Sequence, residues 1–249
     1  MSRVLAMLDE SPVAARVLTT ATTIAELIGA SVDPLTVVDD DHAATSTNGA
    51  RLVVGDPVDV LAGELSADDV EFGVLGSRAL RDTPGPVGHV ADALLARSDV
   101  PLVVVAPEGP ALEGDDLLFL LPLDGVVAST SAILPVARQL VEAGQRTVTL
   151  HVFDPESAPP LATSPYDLDV VAQEFLARHT SECCDRVELR LGEPAVEILD
   201  VAEVEQADAI VVSWDGDLGR GHAEVIRHLL RNTTVPVVLR RAGASEASR

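Results

Sequence analysis

Leu5-Ala6-Met7-Leu8-Asp9 and Leu120-Leu121-Pro122-Leu123-Asp124 share one pattern, an apolar run closed by an acid. Further along, Gly55-Asp56-Pro57 returns as Gly192-Glu193-Pro194. Val100-Pro101-Leu102-Val103-Val104 returns as Val235-Pro236-Val237-Val238-Leu239. The three landmarks keep their order. Their spacing is far beyond the ~20–50-residue units of solenoids and signals a duplicated domain. A chain of 249 residues is comfortable for two domains.

Between the landmarks, short apolar runs alternate with helical patterns. In the first half Val4–Leu8 is a strand, and Ser11 as N-cap with Pro12 at the first helical position opens a helix to Gly29. Strands at Ser31–Val38 and Arg51–Val54, a helix at Pro57–Leu65, a strand at Phe72–Leu75, a helix at Val87–Arg97 and a strand at Pro101–Ala106 follow. The second half repeats the order: strand Leu117–Leu123, helix Val127–Ala143, strand Thr147–Phe153, a helix around Asp167–Cys183, then strand Val187–Leu191. Helix Ala195–Val204, strand Ala209–Ser213, helix Gly221–Arg231 and strand Pro236–Arg240 complete it. Asp39–Ala50 reads as a loop where the second half has a helix, and Ala106–Asp116 as the interdomain linker. The expected class is α/β: two tandem doubly wound domains, 1–108 and 115–241, each with a parallel sheet flanked by helices.

Forty acids face seventeen bases, a net charge of −23, and every base is Arg. The excess is spread over both halves. Such a surface repels nucleic acid and anionic lipid. Acidic, Lys-free and poor in aromatics fits a high-salt cytoplasm, where a Debye length of about 3 Å at 1 M quiets the self-repulsion. A high-GC genome supplies the same bias by another route. Without Lys, neither a P-loop nor a Schiff-base nucleophile is available. Cys183 and Cys184 are adjacent and lack C-x-x-C spacing, so packing is their expected role and no metal site is read. No apolar run approaches the ~18 residues of a membrane span. The expectation is a soluble cytoplasmic protein.

In a doubly wound sheet, ligands bind outside the carboxyl ends of the strands where the strand order reverses. That crevice would bring Asp9 to Gly76-Ser77-Arg78, and Asp124 to Ser213-Trp214-Asp215-Gly216. Asp9 reads either as an acceptor for a ligand hydroxyl or amine or as a cap of the following helix. For Asp124 the cap is favoured. Trp214 reads as a stacking platform, as a plug of an empty pocket or as packing at a domain interface. No nucleophile and base form a pair, and no Gly-x-Ser-x-Gly elbow is present. A phospho-receiver is excluded, since it needs a Lys and an acid after its third strand, where Gly55 and Gly192 stand.

These residues resemble the universal stress protein family over nearly the whole chain. The matches are Leu8-Asp9-Glu10-Ser11, Val37-Val38-Asp39, the Gly-Asp/Glu-Pro turns, Gly76-Ser77-Arg78 and the Val-Pro-Val-Val-Val endings. The resemblance implies the adenine nucleotide alpha hydrolase-like fold, strand order 3-2-1-4-5, and an intramolecular pseudo-dimer through the fifth strands, with a further homodimer open. It implies an adenine nucleotide, ATP or another, held by Asp9, Val37, Gly76, Ser77, Arg78, Gly88 and His89. The family's phosphate loop, Gly-x-x-Gly, nine residues, then Gly-Ser/Thr, departs here: Ala79 replaces its second Gly and His89 its hydroxyl. Arg78 and Arg81 are either compensating phosphate partners or solvated loop residues. The second set, Asp124, Val152, Ser213, Gly216 and Gly221, is degenerate, with Asp215 and Asp217 standing where phosphates would lie. The implied function is a stress-related regulatory or protective protein without turnover, holding at most one nucleotide. A scaffold for protein partners is the alternative and slow nucleotide hydrolysis a third.

Overall fold

The computed structural model describes residues 1–38, 49–77, 88–153, 170, 174, 175, 177, 186–216 and 223–243. The described strands are β1 (Arg3–Leu8), β2 (Ser31–Val38), β3 (Arg51–Val54), β4 (Val70–Gly76), β5 (Leu102–Val105), β6 (Leu118–Pro122), β7 (Arg146–Phe153), β8 (Val187–Leu191), β9 (Ala209–Trp214) and β10 (Val237–Arg241). The helices are α1 (Ala14–Ile28), α2 (Pro57–Leu65), α3 (His89–Arg97), α4 (Val127–Glu142), α5 (Pro194–Val204) and α6 (Ala223–Asn232).

The strands form one ten-stranded sheet, in the order β3-β2-β1-β4-β5-β10-β9-β6-β7-β8. Pairing is parallel throughout except at the centre, where β10 runs antiparallel to β5 through Val237–Val104, Val238–Val103 and Leu239–Leu102. The sequence expectation of two five-stranded sheets thus meets a single continuous one. Apolar runs in consecutive strands are what a sheet covered on both faces demands. Side chains of β1 alternate accordingly: Val4, Ala6 and Leu8 join one core with α1 and α4, while Leu5 and Met7 join the other with α2, α3, α5 and α6. Both cores run across the two halves.

One local reading changes. Helix α1 starts at Ala14, with Val13 as N-cap and no side-chain cap, so Ser11 does not cap it. Its end at Gly29 (φ 66°) holds, because glycine takes the left-handed turn at no steric cost. The linker packs against the first half. Arg16 donates to the carbonyls of Pro107 and Gly109, and Leu112 is 1% exposed against α1. The loop expected at Asp39–Ala50 and the second-half helix around Asp167–Cys183 lie largely outside the described residues. Val170, Glu174, Phe175 and Ala177 are helical.

At the amino edge of the first half, Arg3 and Arg51 bind Asp33 and Glu64 together, and Arg3 also reaches Asp69. Four elements meet there: β1, β2, β3 and α2. Hydrogen bonding to Arg51 holds the Glu64 carboxyl below its usual range against the opposing effect of burial.

Candidate functional site

Helices α1 and α2 leave the sheet on opposite faces, and the strand order reverses between β1 and β4. The carboxyl ends of these two strands therefore flank the first crevice. Asp9 follows β1 directly. Its Oδ1 accepts from the Ser11 amide at 3.0 Å and from the Ser11 hydroxyl. This local turn stands in place of the expected Ser11 cap. Gly76 ends β4, and a Cβ there would lie 2.3 Å from Val13 Cγ1. The glycine thus admits the first turn of chain after Asp9 onto β4, a packing reason that sequence did not show. Ser77 is buried, and its amide donates to the Val105 carbonyl at 2.8 Å.

Val37, near the end of β2, is partly buried against the α2–α3 core. Gly88 is the N-cap of α3 with φ 86° and offers no side-chain cap, and His89 is the exposed first residue of that helix. The amides of the first turn of α3 point out of the helix end, a geometry suited to an anion. Asp92, one turn on, opposes it. Burial pushes its carboxyl up, only partly offset by His89, and among the described residues nothing donates to Oδ1. Arg78 and Arg81 lie outside the described residues, so Asp9, Val37, Gly76, Ser77, Gly88 and His89 are the members of the first set that can be located.

The second crevice is built differently. Asp124 accepts from the Val126 amide at 2.8 Å and from the Ser129 hydroxyl at 2.9 Å, so both carboxylate oxygens serve the turn into α4. Above this turn lies an aromatic cluster. His151 shares a 2.7 Å hydrogen bond with the Leu123 carbonyl through Nδ1. Its ring stacks on Phe175 at 4.4 Å and meets Phe153 edge-on at 4.5 Å. A Cβ on Gly125 would stand 3.7 Å from His151 and 3.8 Å from Phe175, so the rings roof the turn after β6. Sequence reading missed this roof. Its one signal was a His and a Phe two residues apart at a strand end, facing the same side.

Val152 packs against the opposite core, and Ser213 pairs in register with Arg240. Gly216 (φ 88°) lies under Arg241, whose Nε would be 3.1 Å from a Cβ there. Gly221 lies outside the described residues. Trp214 is 4% exposed and belongs to the core around Ile226 and Val237, so it packs in the interior and offers no stacking platform. Strands β6 and β9 pair only at Phe119–Ala209 and Leu120–Ile210, whereas β1 and β4 pair as far as Met7–Leu75.

Residues 119–241 match the model of the universal stress protein family. None of the curated proteins matches this chain. Among solved structures, a universal stress protein from Archaeoglobus fulgidus DSM 4304 is similar over 97% of this chain and 98% of its own, with TM-score 0.69 and 18% identity. A functionally unknown protein from Pseudomonas aeruginosa PAO1 covers 97% of this chain and 93% of its own, with TM-score 0.69 and 12% identity. At these identities the likeness establishes the α/β fold alone. A universal stress protein from Archaeoglobus fulgidus in complex with dAMP covers 51% of this chain and 98% of its own, with TM-score 0.38 and 16% identity, too slight a likeness to bear on function here. No described helix is long and apolar enough to cross a membrane, and no described cluster of His, Cys, Asp and Glu could hold a metal.

Proposed function

We propose that the chain is a tandem universal stress protein, with domains 1–108 and 115–241 each following the order 3-2-1-4-5. Its role is regulatory or protective and non-catalytic, and it holds one adenine nucleotide in the N-terminal crevice. The observation that carries this reading is the difference between the crevices. The second is roofed by the His151–Phe175 stack and has both oxygens of Asp124 engaged in its turn, while the first keeps Asp9 beside Gly76 and the uncapped start of α3. Asp9 would accept a ribose hydroxyl or base amine, Val37 would line the base, and Gly76, Ser77, Arg78, Gly88 and His89 would face phosphates. The bound nucleotide would serve as a signal, and the chain's residues would bind and orient it with no step of turnover.

A second reading is favoured by Val13. It fills the space over Gly76, as expected of a scaffold that engages protein partners and binds no nucleotide. Substitution separates the two. In ~1 M salt, equilibrium dialysis against ATP should show saturable binding that Asp9→Ala abolishes and Asp124→Ala preserves. Binding absent from the unaltered chain up to millimolar ATP would decide for the scaffold. The high-salt origin has its own test: thermal stability should rise steeply between ~0.1 M and molar salt as repulsion is screened. A flat profile refutes that origin and leaves the fold untouched.

A further inference from the structure

The sheet ends on two open edges, β3 in the first half and β8 in the second. An open edge presents unpaired N–H and C=O groups, a template for another strand. On β8 these groups can be named. The Thr149 amide donates to the Arg186 carbonyl at 3.0 Å, and the Gly192 amide donates to the Phe153 carbonyl at 3.1 Å. Bonding direction alternates along a strand, so Arg186, Glu188, Arg190 and Gly192 turn their backbone groups to β7. Val187, Leu189 and Leu191 turn theirs outward, where no described strand lies.

The side chains of β8 follow the same alternation. Val187, Leu189 and Leu191 share the face of their register partners Thr149, His151 and Phe153. Leu191 is 53% exposed there. Glu188 and Arg190 lie on the opposite face, joined within the chain by a 3.0 Å ion pair. Val187-Glu188-Leu189-Arg190-Leu191 thus reads apolar, acid, apolar, base, apolar. Read backwards, the apolar positions stay in place and acid and base change places.

We propose that β8 pairs antiparallel with β8 of a second copy of this chain, about a two-fold axis at Leu189. Leu189 meets Leu189 of the second copy as a hydrogen-bonded pair, and Val187 meets Leu191 of the second copy on either side. Every outward backbone group named above is then paired. Glu188 stands directly across from Arg190 of the second copy, twice over, so the ion pair within each chain grows into a cluster of alternating sign. Register is fixed by the same charges. Moving the axis to position 188 or 190 sets Glu188 against Glu188 or Arg190 against Arg190, and like charges directly opposite destabilise. The other edge lacks this order. With Gly55 aligned to Gly192, Leu52 corresponds to Leu189, but β3 has no acid, and its Arg51 is held by Glu64 and Asp33. Each copy carries a net charge of −23, so the dimer belongs to high salt, where repulsion is screened. None of this depends on nucleotide.

Sedimentation of the full chain in ~1 M salt tests it. A dimer that dissociates on dilution is expected, and a monomer from micromolar to millimolar protein overturns the inference. Leu189→Pro then probes the edge. Its amide faces outward, so the β7–β8 ladder keeps its bonds, while both central bonds between copies are lost. Dimerisation should weaken about ten-fold or more, with the fold retained by circular dichroism. Leu52→Pro, the matched change on β3, should leave the dimer as it was. Unchanged association in Leu189→Pro would place the contact elsewhere and overturn the proposal. Open-ended oligomers lost in Leu52→Pro would mean β3 of one copy on β8 of the next, and would overturn it too. Register has a separate test: Glu188→Arg should weaken the dimer, and adding Arg190→Glu should restore it. A double variant no better than Glu188→Arg alone would refute the two-fold at Leu189.

Discussion

The two halves present the same strand-end acid to two unlike surroundings. Asp9 is held by the residue two places on, and the space beside it is shaped by Val13 against Gly76. Asp124 is tied by both oxygens into the start of α4, and His151, Phe153 and Phe175 close over that start. The end of β6 is thus filled by internal packing where the end of β1 is not. Three of the few aromatic rings in the chain gather at that strand end and pack on one another.

The roof is the first place to break the comparison. Phe175 is 8% exposed, so Phe175→Ala should cost about 3 kcal/mol, read as a lower midpoint of denaturant unfolding in molar salt. A loss below about 1 kcal/mol would mean that the stack only decorates the surface.

The Gly76 contact sharpens it. Gly76→Ala should destabilise by about 1–3 kcal/mol through overpacking on Val13, and Val13→Ala in the same chain should recover most of that loss. A double-mutant cycle with no coupling would return Gly76 to a purely ligand-binding explanation.

The amino edges give the smallest effect. Glu64 sits in a half-buried network with Arg51, Arg3 and Asp33, whereas Asp116 pairs with Arg146 in the open. Glu64→Gln should cost about 1 kcal/mol at neutral pH and Asp116→Asn nearly nothing. Because the folded pKa of Glu64 is lowered, its contribution is complete above the ordinary value of 4.5 and fades as pH falls below it. The difference between Glu64→Gln and the unaltered chain should therefore vanish near pH ~2–3. A difference that persists there would locate the effect in packing and not in charge.

The order of strands and helices was legible because each apolar run is local and bounded by Gly, Pro or an acid, as at Gly55-Asp56-Pro57 with Asp56 capping α2. What was not legible depended, with one local exception, on contacts distant in the chain. The exception is the start of α1, which lies at Ala14 and not Pro12, with Ser11 held locally by Asp9. The burial of Leu112 under α1 and the stacking of Phe175 on His151 each join residues that no local pattern relates, whereas contact between the fifth strands, seen at Val103–Val238, was expected from the family resemblance. The place of Trp214 in the core is likewise set by β10 and α6 and not by its neighbours in sequence.

The central claim is that one crevice works and the other is closed. Protein purified in high salt, denatured and assayed for released adenine nucleotide by chromatography and mass, tests it directly. One nucleotide per chain, lost in Asp9→Ala and kept in Asp124→Ala, is the predicted result. Two per chain, or one that survives Asp9→Ala and disappears with Asp124→Ala, would contradict it.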